Sequence, residues 1–233
     1  MQRDIDRGTV PDRQLSPGGM LLPAAGVVVF VLIAVAVHHG WLADLDRAGL
    51  ALLRQRADPA IPIGPHGLVS MVRDVTALGS FIVLSSAVTS VAAFLALRGR
   101  RDRALALLAY AIGGTLLGEA AKHVIARVRP DVVPHLVEVV TLSFPSAHAM
   151  QATAIPLVLA CFLADTQPRA AMRVYLLCVA ALVALAVGLS RLYLGVHWPT
   201  DVVAGWSLGT AWASACWLLD RRLRTRAENI TNG

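Results

Sequence analysis

The chain has 233 residues, of which 56% are hydrophobic and only 15% charged; with a mean hydropathy of +0.63, this excludes an ordinary soluble globular enzyme. A net charge of +6 and a pI near 10.0 would invite nucleic acid in a soluble protein. Here the arginines must first be placed against a bilayer, and no nucleic-acid partner is expected.

Residues 1–19 carry Arg3, Arg7 and Arg13 among acids, Gly and Pro, and form an expected cytoplasmic N-terminal tail. The first apolar run, Met20 to Val37, ends at His38-His39-Gly40 without a small-residue cleavage site, so it reads as a retained span rather than a signal peptide. The next run is Leu78 to Leu97, after a long loop, 39–77. That loop places Leu42, Leu45, Gly49, Leu52 and Leu53 at roughly helical spacing beside Asp46, Arg47, Arg54 and Arg56; it reads either as a helix on the membrane surface or as a solvated connector. Four more runs follow: Ala104 to about Ile125, Ala147 to Ala164, Met172 to Leu189, and Val202 to Leu219. Each is about the length a helix needs to cross a hydrocarbon core of roughly 30 Å. Alternating barrel patterning is absent, and stretches such as Ala180 to Ala186 are apolar all round, as spanning helices should be. The expected fold is an all-α integral membrane protein, a six-transmembrane-helix bundle over residues 20–219, with a cytoplasmic tail at 220–233.

With the N-terminus inside, the cytoplasmic side receives 13 of the 21 basic residues, the loop Arg98 to Arg103 giving the clearest vote. By the positive-inside rule both termini are cytoplasmic, in an inner or plasma membrane. The sequon Asn229-Ile-Thr231 on such a tail is not expected to be glycosylated. Cys161, Cys178 and Cys216 all lie in apolar runs, odd in number and without CxxC spacing, so neither a disulfide framework nor a zinc site is expected.

Polar residues at membrane spans are expensive, and three clusters fall on the opposite, non-cytoplasmic face. Lys122 is the one lysine in the chain, and with Arg127, Arg129 and Pro130 it ends the third run. An ammonium suits a phosphate oxygen and a guanidinium offers a planar fork of donors. Ser143-Phe-Pro145-Ser146-Ala147-His148 opens the fourth run; Ser146 as N-cap would leave the amides of Ala147 and His148 facing an anion. Ser190-Arg191 through His197-Trp-Pro199-Thr-Asp201 joins the last two runs. Pro199 suits a first helical turn, so Asp201 can reach back to one imidazole nitrogen of His197 and leave the other as a nucleophile. Cations, two histidines, a carboxylate and helix N-termini in one outer site suit phosphoryl transfer better than ion conduction. No carboxylate cluster is at hand for two Mg²⁺ ions, so no metal and no cofactor is expected.

Lys-x6-Arg-Pro at Lys122 to Pro130, Pro-Ser-x-His at Pro145 to His148, and Ser-Arg-x5-His-x3-Asp at Ser190 to Asp201 resemble the three signature motifs of the type 2 phosphatidic acid phosphatases, or lipid phosphate phosphatases. The resemblance implies that His197 attacks phosphorus to give a phosphohistidine, that Asp201 orients it, and that His148 protonates the leaving oxygen and later activates water. It makes Lys122, Arg129, Arg191, Ser146 and the Ala147 amide the phosphate-binding set. Ala147 departs from the family's usual Gly, which is tolerable if its φ is negative. Expected substrates are lipid phosphates of the outer leaflet: polyprenyl diphosphate, phosphatidic acid or phosphatidylglycerol phosphate. The alternative reading is a transporter or flippase that binds a phosphorylated lipid or solute without hydrolysis. Soluble vanadium haloperoxidases share this kind of motif set, so vanadate is expected to inhibit.

Around these motifs, Arg127 reads equally as a phosphate ligand or a headgroup contact, and Glu119 as a partner that positions Lys122 or offsets its burial. His38, His39, His66, His123 and His135 have no partner at ligand spacing and read as interfacial or loop residues. Trp41 and Trp198 read as interface anchors. Gly113, Gly114 and Gly118, and Gly205 with Gly209, read as sites of close helix packing.

Overall fold

The computed structural model describes residues 17–164 and 167–231. Their helices are α1 (Pro17–His38), α2 (Ala43–Ala51), α3 (Leu68–Ala77), α4 (Phe81–Leu97), α5 (Arg101–Ile125), α6 (Ala147–Ala164), α7 (Ala170–Tyr193) and α8 (Pro199–Thr231). Within α1, α5, α6, α7 and α8 lie five stretches long and apolar enough to cross a membrane, and α3 with α4 makes a sixth as a bent pair, at 41°. The chain is an all-helical, multi-pass membrane protein, as its apolar runs predict.

The second crossing differs from the continuous run expected at 78–97. Its helix starts at Phe81, where the Ser80 side chain accepts from the Val83 amide at 3.3 Å, a polar N-cap placed at a bend. Gly79 sits in the break: a Cβ there would stand 2.6 Å from Val187 and 3.3 Å from the carbonyl of His148. An apolar run conceals such a bend, because hydropathy does not record where backbone must clear a neighbour.

The centre of the bundle is α6, packed along both α7 and α8, while α1 lies along α8 and α4 along α5. Lipid tails are as apolar as leucine, so these contacts depend on close shape fit. Gly205 and Gly209 show it: a Cβ would meet the Ser146 carbonyl at 2.7 Å and the Met150 carbonyl at 2.6 Å. Towards one end, Leu84, Val88, Leu107, Tyr110, Ile155, Val158 and Phe162 form a buried core.

The loop 39–77 is not a solvated connector throughout. Its helix α2 docks on α8 with Asp46 and Leu50 fully buried, and Gly49 lets it close on the ring of Pro199. At the far end α8 continues as helix to Thr231, so the predicted tail is helical over 220–231. The predicted N-terminal tail lies, through residue 16, outside the described residues, as do residues 232–233 and the side chains of the sequon.

Candidate active site

Each cluster singled out in the sequence stands where a span ends. At the end of α5, Ala126 caps the helix in the left-handed conformation (φ 49°), its amide bonded to the Lys122 carbonyl at 2.9 Å. That turn redirects the chain so that Arg127 and Arg129 return over the end of the bundle. Further on, Ser143 N bonds to the Arg127 carbonyl at 2.9 Å, and Ser146 N to the Asp201 carbonyl at 3.0 Å. Ser146 Oγ accepts from the Ala149 amide at 3.4 Å, which makes it the N-cap of α6. Ala126 is the one non-glycine residue with positive φ among those described. Ala147 therefore meets the condition its substitution for Gly imposes.

His197 precedes α8 and is 2% exposed. Its Nε2 lies 3.1 Å from Arg129 Nη1, and its Nδ1 lies 3.5 Å from Asp201 Oδ2. A guanidinium can only donate, so Nε2 presents its lone pair and the proton resides on Nδ1, towards the carboxylate. Burial pushes the His197 imidazole down to about 4, against the opposing pull of Asp201. The ring is neutral near pH 7.

Asp201 is fully buried. Its Oδ2 accepts from Ser143 Oγ in a very short bond and from the Trp198 amide at 2.9 Å, while Oδ1 accepts from Arg127 Nη1 at 2.7 Å. A carboxylate with that many donors stays ionised and orients its neighbour.

Arg129 is held on several sides: Nε donates to the Thr141 carbonyl at 2.6 Å, Nη1 to the Val196 carbonyl at 2.5 Å, and Nη2 to Thr141 Oγ1 at 3.0 Å. Burial lowers its pKa, yet a guanidinium starts so high that it remains a cation. Arg191, 3% exposed, donates from Nη1 to Thr76 Oγ1 at 3.1 Å, and its Nε is buried without a protein partner among the described residues. Lys122 donates to Glu119 Oε1 at 3.0 Å with its own side chain 7% exposed. His148, on the first turn of α6, lies within electrostatic reach of Arg191, His197, Lys122 and Arg129.

The structure thus brings together His197, His148, Asp201, Lys122, Arg129, Arg191, Ser146 and Ala147 at one end of the bundle. The sequence profile of the PAP2 superfamily matches residues 103–224. Phosphatidylglycerophosphatase B of Bacillus subtilis is 35% identical over 196 residues, 82% of this chain and 90% of that protein. The chain belongs to the PAP2 superfamily. It is a phosphatase hydrolase of the membrane. The crystal structure of the transmembrane PAP2-type phosphatidylglycerolphosphate phosphatase from Bacillus subtilis superposes with a TM-score of 0.74 at 31% identity, over 86% of this chain and 96% of that one. The undecaprenyl-diphosphatase of Sulfolobus acidocaldarius is 39% identical over 106 residues, 42% of this chain and 46% of that protein.

Beside the PAP2 site lies a cavity of about 400 Å³ walled by α4, α5 and α6. Phe81, Leu84, Leu108, Ile112, Leu116 and Ile155 line its length, while Glu119, Ala147 and His148 stand at its polar end. Sequence reasoning missed Thr76, Thr141, Asp46 and Ser143 as members of this site. Ser143 lies inside a cluster already singled out, but Asp46 comes from α2 and Thr76 from α3, where nothing in the spacing marks them. Arg127 proves to be neither a headgroup contact nor an open phosphate ligand: its two terminal nitrogens hold Asp46 and Asp201. Trp198 is not a bare interface anchor, since its ring lies over Arg127 at 5.3 Å and its Nε1 donates to the Val128 carbonyl at 3.1 Å.

Proposed function

We propose that this PAP2 phosphatase hydrolyses lipid phosphates or diphosphates of the non-cytoplasmic leaflet through a phosphohistidine, without a metal. The observation that carries the reading is the fixed lone pair of His197, at Nε2, 3.1 Å from the guanidinium of Arg129. A phosphoryl group that approaches Nε2 meets a donor fork at the same moment. Nε2 attacks phosphorus, the bond to the lipid oxygen breaks, and His148 gives that oxygen a proton. His148 then takes a proton from water, the hydroxyl oxygen attacks phosphorus, and the P–N bond breaks. Asp201 offsets the charge that the His197 ring gains on attack. Lys122, Arg129, Arg191, Ser146 and the amides at the start of α6 meet the charge of the non-bridging oxygens.

The apolar cavity that ends at His148 suits a lipid chain whose phosphate points at the catalytic groups. Phosphatidylglycerol phosphate, phosphatidic acid and polyprenyl diphosphate all present that combination. The distribution of arginines supports cytoplasmic termini and a site on the opposite face. The test is phosphate release by purified protein in detergent against a panel of these lipids, with EDTA present and His197→Ala in parallel. Release by the wild type alone is expected. Specific phosphate-dependent binding by both proteins without release would instead favour a transporter.

A further inference from the structure

Arg127 is bracketed by two carboxylates. Its Nη2 reaches Asp46 Oδ2 at 2.6 Å, and its Nη1 reaches Asp201 Oδ1 and Thr200 Oγ1, each at 2.7 Å. Asp46 also grips the start of α8: Oδ1 accepts from the Thr200 amide at 2.9 Å and Oδ2 from Thr200 Oγ1 at 2.7 Å. Both carboxylates are fully buried and the arginine side chain is 17% exposed. Isolated burial of Asp46 would be costly, so its exact complement of donors needs a reason beyond filling space. A solvated connector has no use for a buried carboxylate.

We propose that Asp46 and Arg127 are a positioning pair that sets both the direction and the charge of the Asp201–His197 dyad, which makes the outer-loop helix α2 a working part of the catalytic end of the molecule. Direction comes from two grips: Asp46 holds Thr200 while Arg127 holds Asp201, which fixes the first turn of α8. Charge comes from the count: two carboxylates around one guanidinium leave a net negative group behind the ring. That charge stabilises the cation formed when Nε2 attacks phosphorus. Without Asp46 the group is neutral, and without Arg127 it is doubly negative but loose.

The other charged or titratable groups that face His197 are Arg129, Arg191 on α7 and His148 on α6; none of them is altered in the test below. The inference rests on the phosphatase reading, but one of its readouts does not. In the wild type, Asp46→Asn, Arg127→Gln and the double variant, the titration of His197 is followed by ¹⁵N NMR of histidine-labelled protein in detergent, alongside steady-state turnover of a lipid phosphate. Asp46→Asn is expected to move the His197 titration to lower pH, and Arg127→Gln to higher pH, each by about one unit. Opposite signs would show that both charges act on the ring, whereas a pair that only packs the loop, too screened to act on it, would leave the titration unmoved. In turnover, each single variant is expected to lose on the order of tenfold to a hundredfold in kcat with KM changed less than twofold. The double variant should be no worse than the worse single, because the two residues act as one unit.

If Asp46→Asn fails to fold, Arg127→Lys carries the test: it keeps a charge but cannot hold both carboxylates, so it should lose kcat as Arg127→Gln does. A raised KM with kcat retained would make Arg127 a substrate contact and overturn the proposal. Multiplied losses in the double variant, or shifts of one sign, would overturn it too. Absence of turnover in the wild type, with the opposite shifts present, would refute the phosphatase reading and leave the pair standing.

Discussion

A histidine proposed to attack phosphorus must be unprotonated, and the surroundings of His197 keep it so near pH 7. His197 is 2% exposed, with its lone pair towards Arg129 and its proton towards Asp201. Because burial lowers its pKa to about 4, lowering the pH protonates this ring only on approaching that value. The expected profile of kcat/KM rises with pH through an acid limb near 4 as His197 loses its proton; an acid limb at the ordinary histidine value would contradict the proposed nucleophile. His197→Ala is expected to abolish phosphate release. Asp201→Asn keeps the shape but cannot hold the tautomer, so a loss of about a thousandfold or more with a measurable remainder is expected. Equal residual rates in both variants would show that His197 is not the nucleophile. Arg129→Lys removes a fork that four backbone or side-chain oxygens and His197 share, and should cost on the order of a hundredfold in kcat.

At the scale of elements, the turn after α5 decides where two arginines go. Ala126 holds φ 49°, a conformation that costs an L-residue roughly 1–2 kcal/mol relative to glycine. Glycine would relieve that strain but add freedom to the unfolded chain worth roughly 0.4–1 kcal/mol. Ala126→Gly should therefore stabilise the protein by about 0.5–1 kcal/mol, a rise of a few degrees in Tm, with kcat unchanged within twofold. Ala126→Val places a β-branched residue in the same well and should lower both Tm and kcat, since Arg127 and Arg129 follow directly; thermal unfolding in detergent and turnover on one lipid would show either result. This turn was legible only in part. The spacing from Lys122 to Pro130 marks the arginines as functional, but not the left-handed cap that delivers them. For the same reason the partners of Arg127 stayed hidden, because Asp46 lies 81 residues away on a helix whose amphipathic pattern predicts only a surface.

At the scale of the whole molecule, the spans and the convergence of three motifs were readable because bilayer thickness and helix geometry leave few alternatives. What hydropathy cannot supply is which helices stand apart. The bend at Gly79 and the separation of α4 from α6 open the cavity that ends at His148, and its walls are the same residue types as any lipid-facing surface. A site reached through an apolar groove should distinguish a substrate by its chain as well as by its phosphate. Ile112 lines that groove and is 59% exposed, so enlarging it fills the groove without touching the catalytic groups. Ile112→Trp is expected to raise KM for a long-chain lipid phosphate by about tenfold, roughly the contribution of one or two buried methylenes, and to leave KM for a short, water-soluble phosphate ester within twofold of wild type. Steady-state kinetics on the two substrates separates the possibilities. A change for the long chain alone places the tail between α4 and α5, and an equal change for both would mean that the tail lies elsewhere and that the groove serves only to pack the bundle.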